Sequence, residues 1–256
     1  MASIDTHKTH SISWVDLAAT DLDAACQWYG GLFGWTTFND GETPYSIFMM
    51  NGSPVAGVMQ MRPEMEGMPQ VWSTYVTVDD ADATIAKATE AGGSVVQQPF
   101  EVPGGGRIAM IADPSGAVIC LYEGMADNGM KLMDENGAPC WFDCVTRDTE
   151  ATGAFYGKVF GWTSEYMEEM EYTVFSNEGE WTCGMMDMPP GVPDQVPSHW
   201  VVDFVVPDAD AAGEYATSNG GTITMPPMDT PFGRMCGLMD PWGAVLTVID
   251  RSTATQ

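Results

Sequence analysis

Polar and apolar residues alternate from Ser13 to Ala18, so Trp14, Asp16 and Ala18 line one side of an extended strand and Val15 and Leu17 the other. From Leu22 the period changes. Leu22, Ala25, Cys26, Tyr29, Leu32 and Phe33 recur at helical spacing, with Thr20 or Asp21 as cap and Gly34 as stop. Three further strands are predicted near 35–39, 45–50 and 55–61, the last two joined by the hairpin turn Asn51-Gly52. The unit is βαβββ.

The same unit follows again. Strand 72–78 leads into a helix opened by Asp79-Asp80 and closed by Gly92-Gly93, and strands follow near 94–97, 107–112 and 117–122. Asp113-Pro114-Ser115-Gly116 joins the last two as a turn. The whole pair then recurs. Trp14, Asp16, Asp21, Tyr29, Phe33, Gly34 and Trp35 are matched by Trp141, Asp143, Asp148, Tyr156, Phe160, Gly161 and Trp162, all 127 positions on. Gly57 matches Gly184, Arg107 matches Arg234, and Asp113-Pro114-x-Gly116 matches Asp240-Pro241-x-Gly243. The chain therefore reads as α+β, with four βαβββ modules in two tandem domains, 12–124 and 139–251. A polar, glycine-rich linker at 125–138 and a loose arm at 1–11 complete it.

Composition narrows the partners. Nine basic against 36 acidic residues give a net charge of −27, which argues against nucleic acid or an anionic membrane surface. The scarcity of lysine suits a salty medium, where screening relieves self-repulsion. No apolar run spans a bilayer and no signal core opens the chain, so the expected setting is the cytoplasm. The six cysteines contain no CxxC spacing and read as reduced core thiols. Gly104-Gly105-Gly106 precedes a strand, not a helix, and is no phosphate loop.

The paired modules, the helix ending Tyr-x3-Phe-Gly-Trp and the Asp-Pro-x-Gly turn before each final strand resemble the vicinal oxygen chelate superfamily. That group includes glyoxalase I, extradiol dioxygenases, and bleomycin- and fosfomycin-resistance proteins. The likeness is greatest to tandem glyoxalase-like proteins of actinobacteria, often labelled hydroxylase or antigen. It implies that each pair of modules curls into an open eight-stranded cup. It also implies metal ligands, His, Gln or Glu, on the first and last strands of each module. Here those positions offer Trp14 and Trp141, Ser73 and Val201, and Cys120 and Thr247, with Gln60 and Asp187 near the fourth strands. The usual His and Glu ligands are missing from both cups, so the expectation is no metal.

The candidate residues follow from the same strands. Asp16 and Asp143 share a face with Trp14 and Trp141, and each is either paired with Arg107 or Arg234 or free to orient a ligand. His199, outside the arm, is the acid/base candidate beside Asp143 and Asp16. Met59, Met186, Trp72, Tyr75, Tyr122 and Trp200 supply soft walls, with Cys120 and Asp203 on the same strands. The expected function is capture of a small hydrophobic or aromatic molecule, with or without turnover, by a monomer or homodimer. The alternative is a metal-dependent lyase, isomerase or dioxygenase with one divalent ion at Asp143, Asp187, Asp203 and His199.

Overall fold

The computed structural model describes residues 4–39, 41, 43–65, 67–103, 105–124 and 128–255. Gly104 of the glycine-rich loop, residues 125–127 of the connecting segment and residues 1–3 of the arm lie outside these. The first module is β1 (Ile12–Ala19), α1 (Leu22–Phe33), β2 (Thr36–Phe38), β3 (Tyr45–Met50) and β4 (Ser53–Gln60). The second is β5 (Trp72–Val78), α2 (Ala81–Glu90), β6 (Ser94–Glu101), β7 (Arg107–Ala112) and β8 (Val118–Glu123). The third is β9 (Pro139–Thr146), α3 (Thr149–Phe160), β10 (Thr163–Met167), β11 (Tyr172–Asn177) and β12 (Glu180–Asp187). The fourth is β13 (His199–Val205), α4 (Ala209–Ser218), β14 (Thr222–Thr230), β15 (Gly233–Met239) and β16 (Val245–Asp250).

Each half forms one open sheet of eight strands, ordered β2-β3-β4-β1-β5-β8-β7-β6 and β10-β11-β12-β9-β13-β16-β15-β14. Modules pair within a half, through the antiparallel contacts β1 with β5 and β9 with β13. Local chemistry sets the helix ends. Asp21, Asp80, Asp148 and Asp208 each accept a backbone N–H three residues on, satisfying a donor the helix leaves open. Gly34 and Gly161, both at φ 74°, end α1 and α3 in the left-handed conformation. Strands β6 and β14 run several residues past the expected ends. They carry Pro99 and Pro226-Pro227, and their registers break near these prolines, which an edge strand tolerates because one row of N–H groups faces outward.

Helices meet across the halves, α1 against α4 and α2 against α3. Trp28 of α1 donates its indole N–H to Asn219 O at 3.2 Å, and the Tyr215 hydroxyl of α4 reaches back to Trp28 O at 2.9 Å. Gly31 lies under the Tyr215 ring, where a side chain would collide with it. Apolar residues from both halves form one continuous core, with Phe33, Trp35 and Trp72 packed against Phe204. The connecting segment belongs to it. Met130 is fully buried, and Gly137 O accepts the Trp35 indole N–H at 2.6 Å. The arm is held as well: buried His7 bonds Met130 O, and Trp162 Nε1 donates to His10 O at 2.8 Å. Side chains alternate across a strand, so each cup face points away from this shared core.

Candidate functional site

Strand register assembles the cup faces. In the first half Asp16 stands beside Gly57 on one flank and Ser73 on the other, and Trp14 beside Tyr75, which is paired in turn with Cys120. Trp14 Nε1 donates to the Tyr45 hydroxyl at 2.6 Å, and Tyr45 donates onward to Asp16 Oδ2 at 3.3 Å. The Tyr75 hydroxyl donates to the same oxygen at 2.9 Å. Gly57 is required here, because a Cβ would occupy the Tyr45 hydroxyl position. Burial raises the Asp16 carboxyl to about 6, and the Tyr75 and Tyr45 hydrogen bonds restrain the rise.

The second cup repeats most of this relay. Trp141 Nε1 donates to the Tyr172 hydroxyl at 2.6 Å, Tyr172 bonds Asp143 Oδ1, and Gly184 leaves the space for its ring. Burial again lifts the Asp143 carboxyl to about 6, against the Tyr172 hydrogen bond. One member differs. Asp203 takes the position of Tyr75, so a second carboxylate replaces a hydroxyl donor. Asp203 is buried, its Oδ1 has no hydrogen-bond partner, and burial followed by the Asp143 charge raises its pKa.

Several expected residues stand elsewhere. Trp72 and Trp200 face the helices, donating their indole N–H groups to Tyr29 at 3.1 Å and Tyr156 at 3.0 Å, because their neighbours Ser73 and Val201 take the cup-facing parity. They are core, not ligand walls. Arg107 and Arg234 do not pair with Asp16 or Asp143. Both project from the helix side, Arg107 to Asp82 at 2.8 Å and Glu123 at 3.2 Å, Arg234 to Asp210 at 2.5 Å and Asp229 at 2.8 Å. Gln60 is spent on Thr20 O and Leu22 N. His199 lies at the start of β13 with Nδ1 bonded to Pro197 O at 2.9 Å, and the nearest register partner is Val145, not a carboxylate. Asp187 has the opposite parity to Met186 and is exposed at the end of β12. Met59, Met186 and Tyr122 do keep the cup-facing parity, Tyr122 bonding Gly105 O at 3.1 Å. Cys120 is buried and its thiol pKa is pushed up, chiefly by desolvation, as an inert thiol requires.

Tyr45 and Tyr172 are the members sequence reasoning missed. Their signal was present, since they stand 127 apart and each faces the small residue of a repeated glycine pair.

The profile of the Glyoxalase/Bleomycin resistance protein/Dioxygenase superfamily matches residues 11–121 and 139–248. The chain belongs to that superfamily. Among related chains, "Putative glyoxylase CFP32" of Mycobacterium tuberculosis is 38% identical over 248 residues, covering 93% of each chain. "Anthracycline biosynthesis protein DnrV" of Streptomyces peucetius is 32% identical over 255 residues, covering 93% of this chain and 92% of that one. The fold is also that of the Mn(II)-bound glyoxalase from Novosphingobium aromaticivorans, with TM-score 0.65, 15% identity, and 96% and 85% of the two chains covered. The 2,3-dioxygenase LapB from Pseudomonas sp. KL28 aligns with TM-score 0.62 and 13% identity over 95% and 93% of the chains.

A superfamily metal does not fit the residues present. The strand positions named above bring two indoles, a serine, a valine, a thiol and a threonine, where a divalent ion needs several converging hard oxygen or imidazole donors. Among the described residues no group of three or more His, Cys, Asp and Glu is gathered to hold one. The set Asp143, Asp187, Asp203 and His199 is therefore not assembled, for the reasons of parity and position already given. Among the same residues no helix is long and apolar enough to cross a membrane.

Proposed function

We propose that this protein binds small, flat, partly aromatic organic molecules in its cups, without the metal ion usual in the superfamily. The supporting observation is the relay of Trp14, Tyr45, Asp16 and Tyr75, repeated in part by Trp141, Tyr172 and Asp143. An indole and two phenols give polarisable surface, and one carboxylate oriented by hydroxyl donors gives a polar anchor for a hydroxyl or carbonyl edge. Phe38 and Trp181 extend the aromatic surface outward on the cup side, Trp181 edge-on to Trp141 at 6.5 Å. A relative named for anthracycline biosynthesis supports the same ligand class.

The test uses 2-naphthol as the probe. Saturable quenching of tryptophan fluorescence and a rise in melting temperature by mass action are expected, both unchanged by a chelator. Tyr45→Phe should weaken binding while leaving the fold intact. Absence of saturable binding, or its loss on treatment with chelator, would overturn the reading.

A further inference from the structure

The two cups are not equivalent, and the difference lies at one register position. In the first cup the Tyr75 hydroxyl donates into Asp16, so the carboxylate there is supplied with protein donors. In the second, Asp203 stands at the same place and donates nothing when ionised. Asp143 pairs with Val201 and Asp203 with Trp141, which makes the two carboxylates diagonal neighbours on β9 and β13, about 7–8 Å apart between backbone positions. Asp203 is only 3% exposed, yet its Oδ1 has no hydrogen-bond partner. An unpaired buried carboxylate oxygen is costly, and a second carboxylate beside it makes it more so. Proteins rarely keep such an arrangement unless something completes it.

We propose that the second cup is a site for an organic ammonium group, carried on an aromatic or otherwise apolar body and seated between Asp143 and Asp203. This deepens the reading of the cups given above and rests on it. A primary ammonium carries three donors on a compact charge, enough to meet Asp203 Oδ1 and the Asp143 carboxylate together. The apolar part finds Trp141, Phe232 and Met235, half-buried residues that pack against Cys140, Val205 and Ile249. The first cup lacks the feature, so it takes the neutral member of the same ligand class.

The charges facing the pair favour a cation. The groups that ease the Asp143 charge are uncharged donors, the Tyr172 hydroxyl and the Trp141 indole, and the Thr247 hydroxyl does the same for Asp203. Cys140, whose thiol is buried and raised in pKa, donates to the Asp203 backbone carbonyl. Arg251 acts on Asp203 from the end of β16, but its guanidinium is engaged by Asp134 at 2.6 Å. Proton and ammonium then compete for the pair, so amine binding weakens as pH falls through the raised carboxylate range and releases a proton when it occurs.

Two probes of equal shape separate charge from shape: 2-naphthylmethylamine and 2-naphthylmethanol, titrated by calorimetry against the full chain at pH 8. The amine should bind at least about tenfold more tightly than the alcohol, with proton release at pH 6. Asp203→Asn should reduce the amine to the affinity of the alcohol. Equal affinities, or a preference that survives Asp203→Asn, would overturn the proposal. Should Asp203→Asn fail to fold, Asp143→Asn and the ratio on the parent chain decide. An equal rise in melting temperature from micromolar Mn2+ or Ca2+ alone would instead assign the pair to a metal ion. Binding of 2-naphthol reports on the cups in general. Its presence with no amine preference sinks the ammonium site alone, and its absence sinks the underlying reading.

Discussion

At the scale of single residues, Asp16 and Asp143 are the groups on which the cups turn. Each is buried, and each carboxyl is raised to about 6 from 3.8 by desolvation. A raised acid binds its proton more tightly folded than unfolded, so folding is favoured below about pH 4 and that favour is lost as pH rises to 6. For Asp16 the shift corresponds to about 3 kcal/mol. Asp16→Asn removes the titration, so its stability relative to the parent should improve from pH 4 to pH 7, measured by urea unfolding at both. A difference that does not change with pH would show that Asp16 is not raised. The glycines opposite the tyrosines are equally exposed to test. Gly184→Ala places a methyl where the Tyr172 hydroxyl lies, so the ring must move and the bond to Asp143 must break. The variant should lose about 2 kcal/mol and show a changed Trp141 fluorescence, since that indole donates to the same hydroxyl. An unchanged spectrum would contradict the relay.

At the scale of elements, strands and helices were legible because local signals agree with one another. The alternation around Trp14 placed Asp16 on the correct face, the Asn51-Gly52 turn placed β3 and β4, and aspartates before the helices became their caps. The N-cap contributions are testable: Asp208→Ala should cost about 1 kcal/mol in urea unfolding, by leaving the Ala211 N–H without its acceptor. A cost near zero would mean that packing of α4 alone fixes its start. What the sequence hid was partner choice. Arg107 and Asp16 look like natural partners in a chain with nine cations, but one faces the helices and the other the cup. Trp72 was misplaced by a single residue of parity, which carries a strand side chain through the sheet. The Tyr45 contact spans two strands not adjacent in sequence, and no periodicity reports that. Edge strands β6 and β14 ran on past their prolines for the same reason: a proline breaks a ladder only where its N–H is needed.

At the scale of the whole molecule the two halves share one continuous core, and this was not legible, since a repeat of 127 residues suggests two separate cores. Tyr29 shows the coupling. Its hydroxyl accepts from Trp72 in its own half and donates to Asp240 Oδ2 of the other at 2.9 Å, where Gln70 also donates at 2.6 Å. Calorimetry should therefore give one cooperative transition, and Tyr29→Phe should lower all of it by about 1–3 kcal/mol instead of splitting it. Two separated transitions would mean that the halves unfold independently. Charge acts at this scale too. With 36 acidic and nine basic residues, the compact state gathers repulsion that the unfolded chain spreads out. Several of the cations are already committed to local acid clusters, Arg107 and Arg234 to more than one carboxylate each, which leaves the net excess uncancelled over the rest of the surface. Added salt shortens the screening length from about 10 Å at 0.1 M to about 3 Å at 1 M, and exposed charges feel that change while the buried carboxylates of the cups do not. The melting temperature should therefore climb steadily between about 0.05 and 1 M KCl. Asp16→Asn and Asp143→Asn should climb in parallel with the parent. A flat curve would mean that surface repulsion does not limit stability, and variants that diverge from the parent would place the salt effect in the cups.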